Sequence, residues 1–295
     1  EIYDEPFADS SQIPTFFVSQ LARQHVSVAL SGDGGDELFA GYNRHSVGSY
    51  TWDKIRCLPL GARRFLGGQI IPIVESGLRV FDKIHPGQCG YPNLDLKLSK
   101  LAGSLEARDD LEFYDLLRAH WKENDVVLDS SFDLPFDRLK NVNLLNQMIY
   151  QDTTTYLSDD ILTKVDRASM AVSLETRVPF LDHRLVEFSW RVPSEFKVRA
   201  GKGKWLLRKV LNRYVPPALM NRPKQGFGVP IAEWLRGPLR DWAESLLNEK
   251  RLQQEGYLNA RLVREVWEGH LAFQGKREHD LWCVLMFQAW LETQK

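Results

Sequence analysis

The chain has 295 residues, 43% of them apolar and 26% charged, so it can bury a sizeable core as one large or two ordinary domains. Its 38 Lys and Arg against 39 Asp and Glu leave a net charge of −1, which argues against nucleic acid as the main partner, because phosphate binding leans on clustered basic residues. No apolar run approaches the roughly 20 residues a spanning helix needs, so a membrane is not an expected partner either. Cys57, Cys89 and Cys283 are odd in number and not in metal spacing, and read as free thiols in a reducing, cytoplasmic setting. The chain starts at Glu1 without a methionine or signal peptide, directly in what looks like a strand end and loop, and is expected to be an excised piece.

In chain order, residues 11–24 carry a serine cap, an early proline and apolar positions 13, 17, 18 and 21, which predicts a helix. The apolar run from Val26 to Leu30 predicts a strand, and Ser31-Gly-Asp-Gly-Gly-Asp-Glu37 then breaks into a glycine-rich turn that opens a helix. Helix, strand, turn, helix is the rhythm of an open parallel sheet, whose ligands bind at the carboxyl ends of the strands. One clear strand cannot make a sheet, and the rest is expected upstream of residue 1. Backbone N–H groups in such a turn suit phosphate, and Asp33, Asp36 and Glu37 suit a divalent cation between carboxylate and phosphate. An acidic strand-to-helix turn with no ligand fits the same residues equally well.

Residues 50–125 predict helices with breaks, over 61–78, 94–102 and 111–121, and 86–92 and 124–137 are the best linker candidates. Residues 142–172 are again helical, and a helix from about 158 carries Asp159, Asp160, Lys164, Asp166 and Arg167. Asp160, Lys164 and Arg167 share a face at helical spacing. Glu175, Arg177 and Asp182 lie in a proline-fixed stretch that reads as a substrate lip or a plain corner, with Asp182 as an N-cap. Two basic loops follow, one with Lys202 and Lys204 and one with Lys224. The remainder, over 231–247, 260–273 and 277–292, is helical, with His270 at a packing face.

Taken together, Asp4-Glu-Pro-Phe-Ala-Asp-Ser10, the 31–37 loop, residues 159–170, Glu175-Thr-Arg-Val-Pro-Phe-Leu-Asp182 and Arg222-Pro-Lys-Gln-Gly-Phe-Gly228 resemble the synthetase domain of glutamine-dependent asparagine synthetases. The resemblance spans five motifs in order over residues 4–230. It implies an α/β ATP pyrophosphatase (PP-loop) fold with a parallel sheet, truncated here on its N-terminal side, and a predominantly helical C-terminal part. Residues 1–48 would be the end of the nucleotide-binding core, 49–140 a helical insertion and 141–295 the helical completion. The implied chemistry is magnesium-ATP activation of a side-chain carboxylate, aspartate or a relative, as an acyl-adenylate. Ammonia derived from glutamine then attacks, giving an amide, AMP and pyrophosphate.

By the same resemblance Ser31, Gly32 and Gly34 would hold the nucleotide and Asp36 the magnesium. Asp33 would sit by the adenylate, and Lys224 would stabilise the charge that develops there. Asp9, Ser10, Glu175, Arg177 and Asp182 would line the acceptor pocket. The family's Ser-Gly-Gly-x-Asp-Ser pyrophosphate loop and its N-terminal cysteine glutaminase domain are missing from the chain, so the piece alone is expected to be inactive. A homodimer is compatible with the family. A non-catalytic descendant, or a β-lactam-synthetase-like relative with another acceptor, remains an open alternative.

Overall fold

The computed structural model describes residues 2–84, 98, 101–121, 126–128, 138–220, 227–274 and 276–294. Its only sheet among these residues has two strands, β1 (Val28–Leu30) and β2 (Glu175–Arg177), paired in parallel with Val28 opposite Glu175 and Leu30 opposite Arg177. β1 is where its apolar run predicts it, shortened to three residues. β2 corrects the sequence reading, which places only a lip or corner at 173–183 and all partner strands upstream. Glu-Thr-Arg has no apolar run, yet it alternates as a strand does, with Thr176 half-buried between the exposed Glu175 and Arg177.

Helix α1 (Gln12–Arg23) precedes β1 as expected, but its start is built differently. Ser11 makes no capping bond to the helix; its N–H and hydroxyl both donate to Asp9, at 2.9 and 2.7 Å. After β1 the glycine turn opens a single helical turn, α2 (Gly35–Leu38), in which Glu37 and Leu38 are buried.

The predicted helix from 158 is part of a longer rod. Asn143 caps it, accepting from the N–H of Asn146 at 2.9 Å, and helix runs through Leu144–Gln151, Asp152–Leu162 and Thr163–Met170 without a break. The middle stretch has the wider turns of a π-helix. Thr153, Thr154, Thr155 and Ser158 there return their hydroxyls to carbonyls one turn back, which competes with regular helical bonding. The rod packs against α1 and α2 and carries β2 directly after it.

Between these parts run helices at Ser49–Ile55, Leu60–Phe65, Leu66–Ile70, Ile71–Ile84 and Asp110–Arg118, the first and last of which share a small core of Trp52, Phe113, Tyr114 and Met148 with the rod. The linker candidate 86–92 and most of 124–137 lie outside the described residues. Of the latter, Val127 forms an antiparallel bridge to Leu258, so that part is tied to the C-terminal helices.

The largest core lies in helices Ile231–Arg236, Arg240–Leu246, Glu249–Glu255, Ala260–Leu271 and Glu278–Thr293, around Trp267, Leu235, Val263 and Leu285. The single helix predicted over 231–247 is interrupted around Gly237. His270 is buried, as expected, stacked near Trp267, with Arg236 Nε donating to its carbonyl at 2.9 Å.

Candidate active site

Because β1 and β2 run parallel, the loops that leave their carboxyl ends emerge side by side. One is the 31–37 turn and the other is Val178–Asp182. Ser31 N–H donates to the Arg177 carbonyl at 2.8 Å, tying the two together at their roots. That bond uses the amide which the resemblance would offer to a nucleotide, leaving the Ser31 hydroxyl, which bonds the Asp33 carboxylate. Gly34 has a left-handed backbone, φ +80°, and an added Cβ would lie 2.8 Å from Leu181 Cδ2, so glycine there is explained by backbone and packing. Around Gly32, by contrast, a Cβ would meet nothing within 4 Å, and the backbone is open to an approaching ligand.

Asp36, the predicted metal ligand, carries a cation of the chain's own. Lys204 Nζ stands 2.9 Å from Asp36 Oδ2, with about 30% of each side chain exposed. The sequence reading places Lys204 only in a generic basic loop; the signal that could have singled it out is its position between Gly203 and a helix start. No group of three or more His, Cys, Asp or Glu side chains among the described residues converges as a metal cage. One half-shielded carboxylate beside an open glycine backbone does fit a magnesium ion, whose remaining ligands come from phosphate oxygens and water.

Beneath the loop lies a buried polar network that the sequence reading did not find. Glu37 bonds the Tyr42 hydroxyl, and the Arg44 guanidinium lies 4.0 Å from the Tyr42 ring centre and 4.8 Å from that of Tyr156. Arg44 donates to Asp152 at 2.8 and 3.0 Å and to the Tyr114 hydroxyl at 2.9 Å, and His45 Nε2 is 2.7 Å from the same Asp152 oxygen. Burial would raise the Asp152 carboxyl, but the His45 hydrogen bond and the Arg44 charge outweigh it and hold it below the usual range. Burial lowers the His45 imidazole against the pull of Asp152. This ties α2 to the wide-turn segment of the rod.

Asp9 is also committed. Lys164 Nζ is 2.6 Å from Asp9 Oδ2 and 4.0 Å from Asp160 Oδ1, the i,i+4 pairing the sequence predicts. Arg167, one turn further on, donates to Asp4 at 3.1 Å, on the same N-terminal loop as Asp9. Burial raises Asp9, but Lys164 wins and lowers it, whereas burial and the adjacent Asp9 push Asp160 up to about 7. Ser10 is buried beside Asp9. Glu175 and Arg177 pair with each other at 2.7 Å on the exposed face of β2. Asp182 caps the helix His183–Arg191, accepting from Arg184 N–H at 2.9 Å, as the sequence suggests, and also takes the Arg184 side chain. Lys224 lies outside the described residues.

A family model described as asparagine synthase matches residues 1–292. The chain belongs to the asparagine synthase family. Among its relatives, an "Asparagine synthetase [glutamine-hydrolyzing] 1" of Bacillus subtilis is 31% identical over 98% of the chain and 44% of the relative. A "Putative asparagine synthetase [glutamine-hydrolyzing]" of Mycobacterium bovis is 34% identical over 97% of the chain and 42% of the relative. More distantly, "Amidase chyE" of Penicillium rubens is 24% identical over 83% of the chain and 38% of the relative. The chain thus spans less than half the length of these relatives. No helix among its described residues is long and apolar enough to cross a membrane.

Proposed function

We propose that this chain is the ATP-using part of a ligase that converts a side-chain carboxylate, aspartate in the simplest case, into its amide. The carboxylate attacks the α-phosphorus of ATP, the bond to pyrophosphate breaks, and an acyl-adenylate forms. Ammonia from glutamine then attacks the acyl carbon, loses a proton, and AMP leaves. The observation that carries this reading is the placement of Asp33, Asp36 and the open Gly32 backbone at the carboxyl ends of two parallel strands, in a chain of this family. Magnesium, when bound, would neutralise phosphate charge at Asp36.

In this reading the chain's own groups do the rest. Gly32 and the Ser31 hydroxyl approach the nucleotide, and Asp33 sits beside the adenylate. Lys224 supplies positive charge where the α-phosphate and acyl oxygen become more negative. Asp9 acts through Lys164, fixing the loop before α1 as one wall of the acceptor site, with Ser10, Glu175, Arg177 and Asp182 around it. β1, paired only with β2 among the described residues, has a second edge to offer further strands of a PP-loop sheet. The three-part division at 48 and 140, a cytoplasmic location and a homodimer are proposed with it.

The test is AMP and pyrophosphate release from ATP by the full-length protein containing this chain, with aspartate and ammonium supplied. Release that requires aspartate and falls roughly 100- to 1,000-fold in Lys224→Ala supports the reading, by analogy with removal of one oxyanion-stabilising donor. A folded protein that releases neither product with aspartate or a panel of other carboxylates would end it.

A further inference from the structure

The Asp36–Lys204 pair is built with more care than a surface ion pair needs. Lys204 holds a left-handed backbone, φ +55°, which a lysine rarely adopts, and its N–H donates to the Phe39 carbonyl at 3.0 Å. Gly203 sits so close to α2's exit that an added Cβ would lie 2.0 Å from the Ala40 carbonyl oxygen. At Gly41 a Cβ would fall 1.8 Å from Asp36 Oδ1 and 2.3 Å from Lys204 Cε. Two glycines and one disfavoured backbone conformation therefore exist to bring this ammonium onto this carboxylate.

We infer that Lys204 is a tethered counter-cation which occupies the metal position at Asp36 while the nucleotide is absent, and gives it up only to a metal that arrives on a triphosphate. The inference rests on the nucleotide reading above. Its logic is charge exchange. A divalent cation entering alone would leave the Lys204 ammonium without its carboxylate and beside a like charge, whereas one entering with ATP brings phosphate oxygens onto which that ammonium can turn. Metal and nucleotide are thereby made to bind together, and Lys204 becomes a phosphate contact in the loaded state.

The experiment is a manganese titration of the full-length protein followed by electron paramagnetic resonance of free Mn2+, without nucleotide and with a non-hydrolysable ATP analogue. Lys204→Asn is the main variant, because asparagine tolerates the left-handed backbone and removes the charge. Lys204→Arg restores the charge, and a thermal melt of each variant checks folding. The expected result is that Lys204→Asn binds Mn2+ alone at least tenfold more tightly than the parent, binds the Mn2+–analogue complex at least tenfold more weakly, and that Lys204→Arg moves back toward the parent in both. Unchanged Mn2+ affinity in a folded Lys204→Asn protein overturns the inference while leaving the nucleotide reading intact. A parent protein that binds no metal–analogue complex overturns both.

Discussion

Lys197 is a buried cation with nothing to hold. Its side chain is fully enclosed, Nζ has no hydrogen-bond partner among the described residues, and the Trp190 ring, 5.2 Å away, is the one compensating contact found. Burial pulls its pKa down to about 8. An unfolded lysine keeps its proton to about 10.4, so the unfolded chain binds more protons between those values, and stability should rise as the pH is taken from 8 to 10. Lys197→Met keeps the stem and drops the charge; it should stabilise the fold by roughly 1–4 kcal/mol at pH 7 and flatten that rise, as read by denaturant melts at both pH values. Asp160 gives the opposite slope. Its carboxyl titrates near 7 when folded and near 3.9 when unfolded, so its contribution is whole below about pH 4 and is lost as the pH climbs through 7. Asp160→Asn should gain melting temperature relative to the parent between pH 5 and pH 8. Parallel melting curves for the two proteins across that range would refute the assignment.

At the scale of elements, caps and apolar spacing were legible and charge-coded structure was not. Asn259 reads as an N-cap from its place before an apolar period, and its side chain does accept from Leu262 N–H at 3.2 Å at the head of Ala260–Leu271. Asn259→Ala should cost about 1 kcal/mol, measurable as a lowered urea midpoint with unchanged slope. β2 was invisible because its three residues earn their strand by pairing with β1, a partner far away in sequence, and not by any apolar run of their own. The same limit hid Tyr42, in the bend after α2, Arg44, at the start of the helix Arg44–Gly48, and Asp152, on the rod, which meet only once the rod has packed against α2. Ser11 misled for a local reason: its hydroxyl is turned to donate to Asp9 and does not accept from the free N–H groups of the helix it precedes.

Across the whole molecule, the sequence placed the glycine turn at a strand end and put α1 before it, and the fold agrees. It could not tell that the second loop, 178–182, would emerge beside the first, because that follows from the parallel pairing of β1 and β2. Nor could it separate Lys204 from the other basic residues of its loop, since the distinction rests on a left-handed backbone and two tight glycines.

The helix Glu278–Thr293 closes the structure on itself. Trp290 Nε1 donates to the Asp4 carbonyl at 3.2 Å across 286 positions of sequence, and Asp280 accepts from Trp121 Nε1 through its carbonyl at 3.0 Å. A ribosome adding on the order of 5–20 residues per second therefore exposes the Asp4–Ser10 segment for roughly a quarter of a minute to a minute before its last partner emerges. Through that interval, among the described residues, the loop that leads to Asp9 is held by its own neighbours Ser11 and Gln12 and, across the chain, by Lys164 and Arg167, which arrive 155 and 163 residues after their partners. The acceptor wall of the proposed site is thus translated long before the residue that secures it, and termination anywhere before Trp290 would leave it unlatched.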